Sequence, residues 1–118
     1  MLVLICGDRN WSDYQAIKRE IVGHKLDPKT DVIMHGGARG ADRIAGEIGL
    51  ANRFKVRVFP ADWERHGRGA GPIRNYLMLD QRPDLVLAFH PEIGLSKGTA
   101  HMIEIAKEKG IKVELFAS

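Results

Sequence analysis

The chain is short of several things, and each shortage removes a class of protein. A single cysteine, Cys6, stands in 118 residues, so no intrachain disulfide is available. A lone thiol suits a reducing compartment, and a cytoplasmic protein is the expectation. No apolar run approaches the roughly 20 residues that span a bilayer, so no membrane partner is expected. The opening run Met1-Leu2-Val3-Leu4-Ile5-Cys6 lacks the basic flank and cleavage site of a signal peptide and reads as a strand. Charge of one sign is also lacking: 18 Lys and Arg against 15 Asp and Glu leave +3, too little to indicate nucleic-acid binding alone. Aromatic residues make up only 7 %, few for a surface that stacks successive bases. No carboxylate or cysteine cluster joins His35 and His90, so neither a metal nor another cofactor is expected. Repeats, low-complexity tracts and linkers are absent, and the length fits one domain over residues 1–118.

What the chain does have is alternation. Apolar runs at 2–6, 31–35, 55–60, 85–90 and 112–116 are separated by helix-like segments. Some of these runs are nearly continuous in apolar residues, as strands covered on both faces are. Ser12 or Asp13 can cap a first helix carrying Ile17 and Ile21. A second helix starts near Gly40 and runs toward Asn52, a third starts near Gly71-Pro72, and a fourth runs from near Ser96 to Lys109-Gly110. The pattern predicts an α/β, Rossmann-like single domain with a five-stranded, mainly parallel sheet and helices on both faces. An incompletely covered sheet edge leaves room for a homo-oligomer.

Ligands of such sheets bind beyond the carboxyl ends of the strands, where strand order reverses. All the unusual loops fall at that edge: 7–11, 36–41, 61–72 and 91–98. The most unusual is Gly36-Gly37-Ala38-Arg39-Gly40-Ala41-Asp42. Bare glycines let another molecule approach the main chain, and the helix behind offers unpaired N–H groups to an anion. Arg39 can add a two-pronged contact to phosphate. Asp42 can cap the helix, orient Arg39 or hold a ribose hydroxyl. The spacing is neither GxGxxG nor GxxxxGK, so it supports neither the standard dinucleotide fingerprint nor the Walker loop.

Three further segments share that edge. Ser96, Lys97, Gly98 and Thr99 open the last helix with hydroxyls, a cation and bare backbone. Arg74 and Asn75 follow Gly71-Pro72, behind the stretch 61–71, a candidate mobile flap. Gly7, Asp8 and Arg9 follow the first strand, with Trp11 placed either to stack on a base or to enter the core. Seven basic residues cluster in or beside these loops, Arg9, Arg39, Arg43, Arg65, Arg68, Arg74 and Lys97, as a phosphorylated ligand requires. Cys6 has no base marked beside it and is expected in the core.

Taken together, "GGARGAD", "GPIRN" and "SKGTA" resemble the SLOG superfamily of Rossmann-like domains, and within it the YspA-like branch. The resemblance covers essentially the whole chain. It implies a nucleotide-like small molecule as partner, held for sensing, sequestration or hydrolysis. Gly94 to Thr99 loosely resembles the GGxGTxxE segment of LOG-type phosphoribohydrolases, and Arg74 resembles their upstream arginine. The motif's glutamate position, three after Thr99, holds Met102. A LOG-like hydrolase would therefore need a relocated carboxylate, Asp8 or Asp42. Gly37 to Asp42 and Arg74-Asn75 also resemble the "GxARGxD" loop and "RN" pair of DprA, which makes single-stranded nucleic-acid binding the less favoured alternative. What both relatives imply in common is a phosphate-binding crevice, not a reaction.

Overall fold

Strand formation follows the apolar runs closely in a computed structural model that describes all 118 residues. The elements are β1 (Leu2–Gly7), α1 (Tyr14–Gly23), β2 (Val32–His35), α2 (Ala41–Ala51), β3 (Lys55–Val58), the single turn α3 (Trp63–His66), α4 (Ala70–Asp80), β4 (Leu85–Phe89), α5 (Gly98–Glu108) and β5 (Lys112–Phe116). The strands pair in the order β3-β2-β1-β4-β5, and every pairing is parallel. The expected "mainly parallel" sheet is thus wholly parallel.

Alternate residues of β1 feed two separate cores. Val3 and Ile5 join Ile17, Ile21, Ala45 and Ile48 of α1 and α2 on one face. Leu4 and Cys6 join Met78, Leu79, Met102 and Ile105 of α4 and α5 on the other. Fully burying one such large aliphatic side chain is worth roughly 1.5–3 kcal/mol, so both faces of β1 are strongly fixed in register. No helix is long and apolar enough to cross a membrane.

Several boundaries differ from the sequence reading, each for a local reason. Asp13, not Ser12, caps α1, its Oδ1 accepting the Ala16 N–H at 3.1 Å. β3 stops at Val58 rather than 60; Phe59 N still donates to His35 O at 2.9 Å, but Pro60 has no N–H to extend the ladder. α4 begins at Ala70, which leaves Pro72 inside the first turn, where a missing N–H costs no helical bond. The stretch 61–72 is not an irregular loop. Asp62 caps α3 through Arg65 N at 3.1 Å, and a 3-10 turn over Gly67–Gly69 leads directly into α4.

Candidate functional site

Strand order reverses between β1 and β4, and the loops after β1, β2 and β4 converge beyond that point. Bare backbone is needed there first for the protein's own packing. A Cβ on Gly7 would lie 2.1 Å from Phe89 O. One on Gly40, whose φ is +75°, would lie 2.2 Å from Asp8 O and 2.5 Å from Arg9 C. The glycine loop after β2 therefore rests directly on the loop after β1, and Ala41 N donates to Asp8 O at 3.1 Å. The close approach expected at Gly40 is made by the chain's own backbone.

Asp42 and Arg74 shape the glycine loop from within. Asp42 Oδ2 accepts the N–H groups of Gly36 (3.0 Å) and Ala38 (3.2 Å). Arg74 Nη1 donates to Gly36 O at 2.7 Å, and its Nε donates to Asn75 Oδ1 at 3.1 Å. Gly36 fits between them; a Cβ there would meet Arg74 Nη1 at 2.2 Å and Asp42 Oδ2 at 3.0 Å. Asn75 is buried and carries the chain of contacts on to α5, with Nδ2 donating to Gly98 O at 3.4 Å and lying 3.1 Å from His101 Nδ1. Ser96 Oγ accepts from Thr99 N (3.0 Å) and Ala100 N (3.3 Å), so it caps α5. The N–H groups of Gly40 and Gly98 have no acceptor within the protein.

These contacts frame a crevice of about 430 Å³. Arg9, Arg39 and Lys97 line it, and none of the three is paired with a carboxylate or carbonyl. Asp8 also lines it, with Oδ1 accepting Asn10 N at 3.0 Å. A smaller adjoining compartment of about 270 Å³ shares Arg9, Ala38, Arg39 and Arg74 with the first and adds Arg43, Pro60 and Trp63.

Burial sets the protonation states. Asp42 is raised to about 6, chiefly because burial disfavours its charge; the N–H groups of Ala38 and Gly36 and the cations Arg74 and Arg9 offset only part of that cost. Arg74 is lowered by burial, with Asp42 opposing and Arg9 adding to the shift. His35 is lowered by burial and by Arg74, consistent with its Nδ1 accepting Gly37 N–H at 2.9 Å. Burial pushes the Cys6 thiol far up, so it is packing material rather than a nucleophile.

Of the residues singled out in the sequence, Gly7, Asp8, Arg9, Arg39, Asp42, Arg74, Asn75, Ser96, Lys97, Gly98 and Thr99 line the main crevice. Gly36 and Gly37 line the smaller compartment, while Gly40 and Ala41 line neither; Ala41 is fully buried in the α1–α2 core. Thr99 contributes no free N–H, because Ser96 takes it. Trp11 is a core residue, edge-on to Phe89 at 5.5 Å, with its indole N–H donated to Asp13 O at 3.0 Å. Trp63, which the sequence also places near this edge together with Trp11 and Tyr76, is half exposed in one isolated helical turn. Arg65 and Arg68 line neither compartment. Met102, at the glutamate position of the LOG-type motif, is buried in the α4–α5 core and reaches the crevice wall.

Known proteins can be set beside this geometry. The sequence model of the YspA, cpYpsA-related SLOG family matches residues 1–66, which include the loops after β1 and β2. The "Gene 61 protein" of Mycobacterium phage D29 is 41 % identical over 120 aligned positions, covering 94 % of this chain and 92 % of its own length. No solved structure matches the chain.

Proposed function

The chain belongs to the YspA, cpYpsA-related SLOG family, and from that premise we propose that its crevice binds a nucleotide or nucleotide-derived phosphorylated ligand. One observation carries this reading. Three unpaired cations, Arg9, Arg39 and Lys97, surround one crevice at the point where strand order reverses. A solvated surface holds its cations apart; a site for phosphate gathers them. The phosphate lies against Arg39, Lys97 and the Gly98 N–H, and Asp8 accepts from ribose hydroxyls. Arg74 is a positioning residue here, since it fixes the carbonyl of Gly36 and lends its charge from behind the loop.

Calorimetric titration with AMP tests the reading. The expected result is binding whose log K falls shallowly with log salt, since one phosphate group is neutralised. A steep linear dependence with a single-stranded oligonucleotide, not displaced by AMP, would replace the reading with nucleic-acid binding.

Arg74→Ala should weaken AMP binding by less than the roughly 1.5–3 kcal/mol that a direct hydrogen bond to phosphate is worth, because Arg74 acts through the glycine loop and its charge rather than by contact. The same variant should lower the thermal midpoint, because Gly36 O loses its donor. Arg74→Lys should recover part of the affinity but not the fork that holds Gly36 and Asn75 together.

A further inference from the structure

The smaller compartment is not needed by a mononucleotide seated in the main crevice. It is nevertheless built as a binding surface. Four arginines line it, Arg9, Arg39, Arg43 and Arg74, and no carboxylate does. Its far wall is Trp63, half exposed yet held in place: Asp62 caps the turn that carries it, and its ring lies over Gly71, where a Cβ would meet Cη2 at 3.5 Å. The Arg9 guanidinium sits 6.0 Å from the Trp63 ring centroid, on the boundary that both compartments share. When Arg9 turns from the indole to a phosphate, the ring face it covers is freed for another flat ring.

We propose that the physiological ligand is two-lobed: two nucleoside units joined through a pyrophosphate, with one unit in the main crevice, the bridging phosphates at Arg9 and Arg39, and the second base stacked on Trp63. The inference rests on the nucleotide reading above and extends it by naming the ligand class. Three features support it. The shared wall is cationic over its length, which suits a bridge that spreads its negative charge over two phosphates. The second compartment ends in an aromatic face rather than a polar one. The two volumes together, about 430 and 270 Å³, fall inside the range of roughly 300–1,000 Å³ typical of small-molecule sites. Arg43 belongs to the second compartment alone, so it separates the two lobes experimentally.

The test compares AMP with diadenosine pyrophosphate on the purified chain. The dinucleotide should bind at least about tenfold more tightly than AMP, since it adds a stacked base and a second phosphate. Trp63→Ala should reduce dinucleotide affinity roughly 5- to 150-fold, the range for losing one stacked base, and leave AMP affinity within about twofold. Trp63→Phe keeps a ring and should restore most of the loss, which separates stacking from a folding defect. Arg43→Ala should likewise weaken the dinucleotide and spare AMP. Fluorescence gives an independent readout: the dinucleotide should quench exposed Trp63 emission, AMP should not, and Trp63→Phe should abolish the quenching, because Trp11 is buried. Equal affinities for the two compounds with AMP bound would overturn the two-lobed ligand and leave the nucleotide reading standing. An equal loss for both compounds in Trp63→Ala would also overturn it, showing one nucleotide straddling the compartments. Failure of both compounds to bind would sink both readings.

Discussion

Gly40→Val should destabilise the fold by roughly 3–5 kcal/mol, the sum of a strained backbone and an overpacked contact. Gly40 has φ +75° and ψ −125°, a conformation that a β-branched residue scarcely adopts. Its Cβ would also lie 2.2–2.6 Å from the Asp8 and Arg9 backbone, which cannot swing aside as a flexible side chain would. The loops after β1 and β2 would be forced apart, and the Ala41 N–H would lose Asp8 O. Total stability of a domain is only about 5–15 kcal/mol, so a large part of it is at stake. Urea unfolding with an unchanged slope measures the loss. A midpoint equal to that of the unmodified chain would refute the account of why glycine stands there.

Gly98→Ala supplies the contrast. A Cβ at Gly98 meets nothing within 4 Å, and alanine suits a first helical turn better than glycine. Stability should hold or rise slightly. Any loss of AMP affinity in that variant then reflects blocked access to the Gly98 N–H rather than a damaged fold.

The sheet was legible because its central strands, buried on both faces, are short and nearly continuous apolar runs bounded by turn residues. Helix ends were legible where a side chain makes the cap, as at Asp13, and less so at α4, where proline marked the first turn but not its first residue. The candidate site was legible as a set of loops, since the loops at the carboxyl edge carry the glycines and cations. What each residue does inside it was not. Gly40 reads in sequence as a place where phosphate approaches, but the approaching group is the backbone of residues 8 and 9, distant in sequence. Asp42 reads as a cap or ribose ligand, and nothing in the sequence marks it as the buried acceptor for the glycine loop. Trp11 is covered and Trp63 exposed, a distinction that only tertiary packing decides. The smaller compartment joins residues from the loops after β1, β2 and β3 with Arg74 of α4, a juxtaposition that no local pattern encodes.

Asp42 gives the second large effect, and its sign is opposite to that of an ordinary paired carboxylate. Its pKa rises from 3.8 to about 6 on folding, so the folded chain holds its proton over a range where the unfolded chain has released it. Stability from this group is therefore full below about pH 4, falls as pH rises toward 6, and is flat above that. The size of the loss is on the order of 3 kcal/mol, because each tenfold change in proton affinity corresponds to about 1.4 kcal/mol. Other groups act in the same experiment. Asp31 is lowered by its contact with the chain's amino terminus and loses its contribution as pH falls through the acid range. His35 is lowered by burial, so its neutral form must be protonated late, and it too disfavours the fold as pH falls below the ordinary histidine range. Comparing the unmodified chain with Asp42→Asn removes both, since the variant keeps Asp31 and His35. The amide oxygen can stand where Oδ2 stands and accept both N–H groups of the glycine loop, but it does not titrate. The difference in unfolding free energy between the two proteins should change by roughly 2.5 kcal/mol between pH 4 and pH 7, with the variant gaining relative stability as pH rises. A difference that stays constant across that range would show that Asp42 is charged and compensated in the fold. The same proton also touches function: when Asp42 is neutral, Arg74 faces the crevice without a counter-charge, so a non-titrating phosphodiester should bind more tightly below pH 6 than above it, and that gain should vanish in Asp42→Asn.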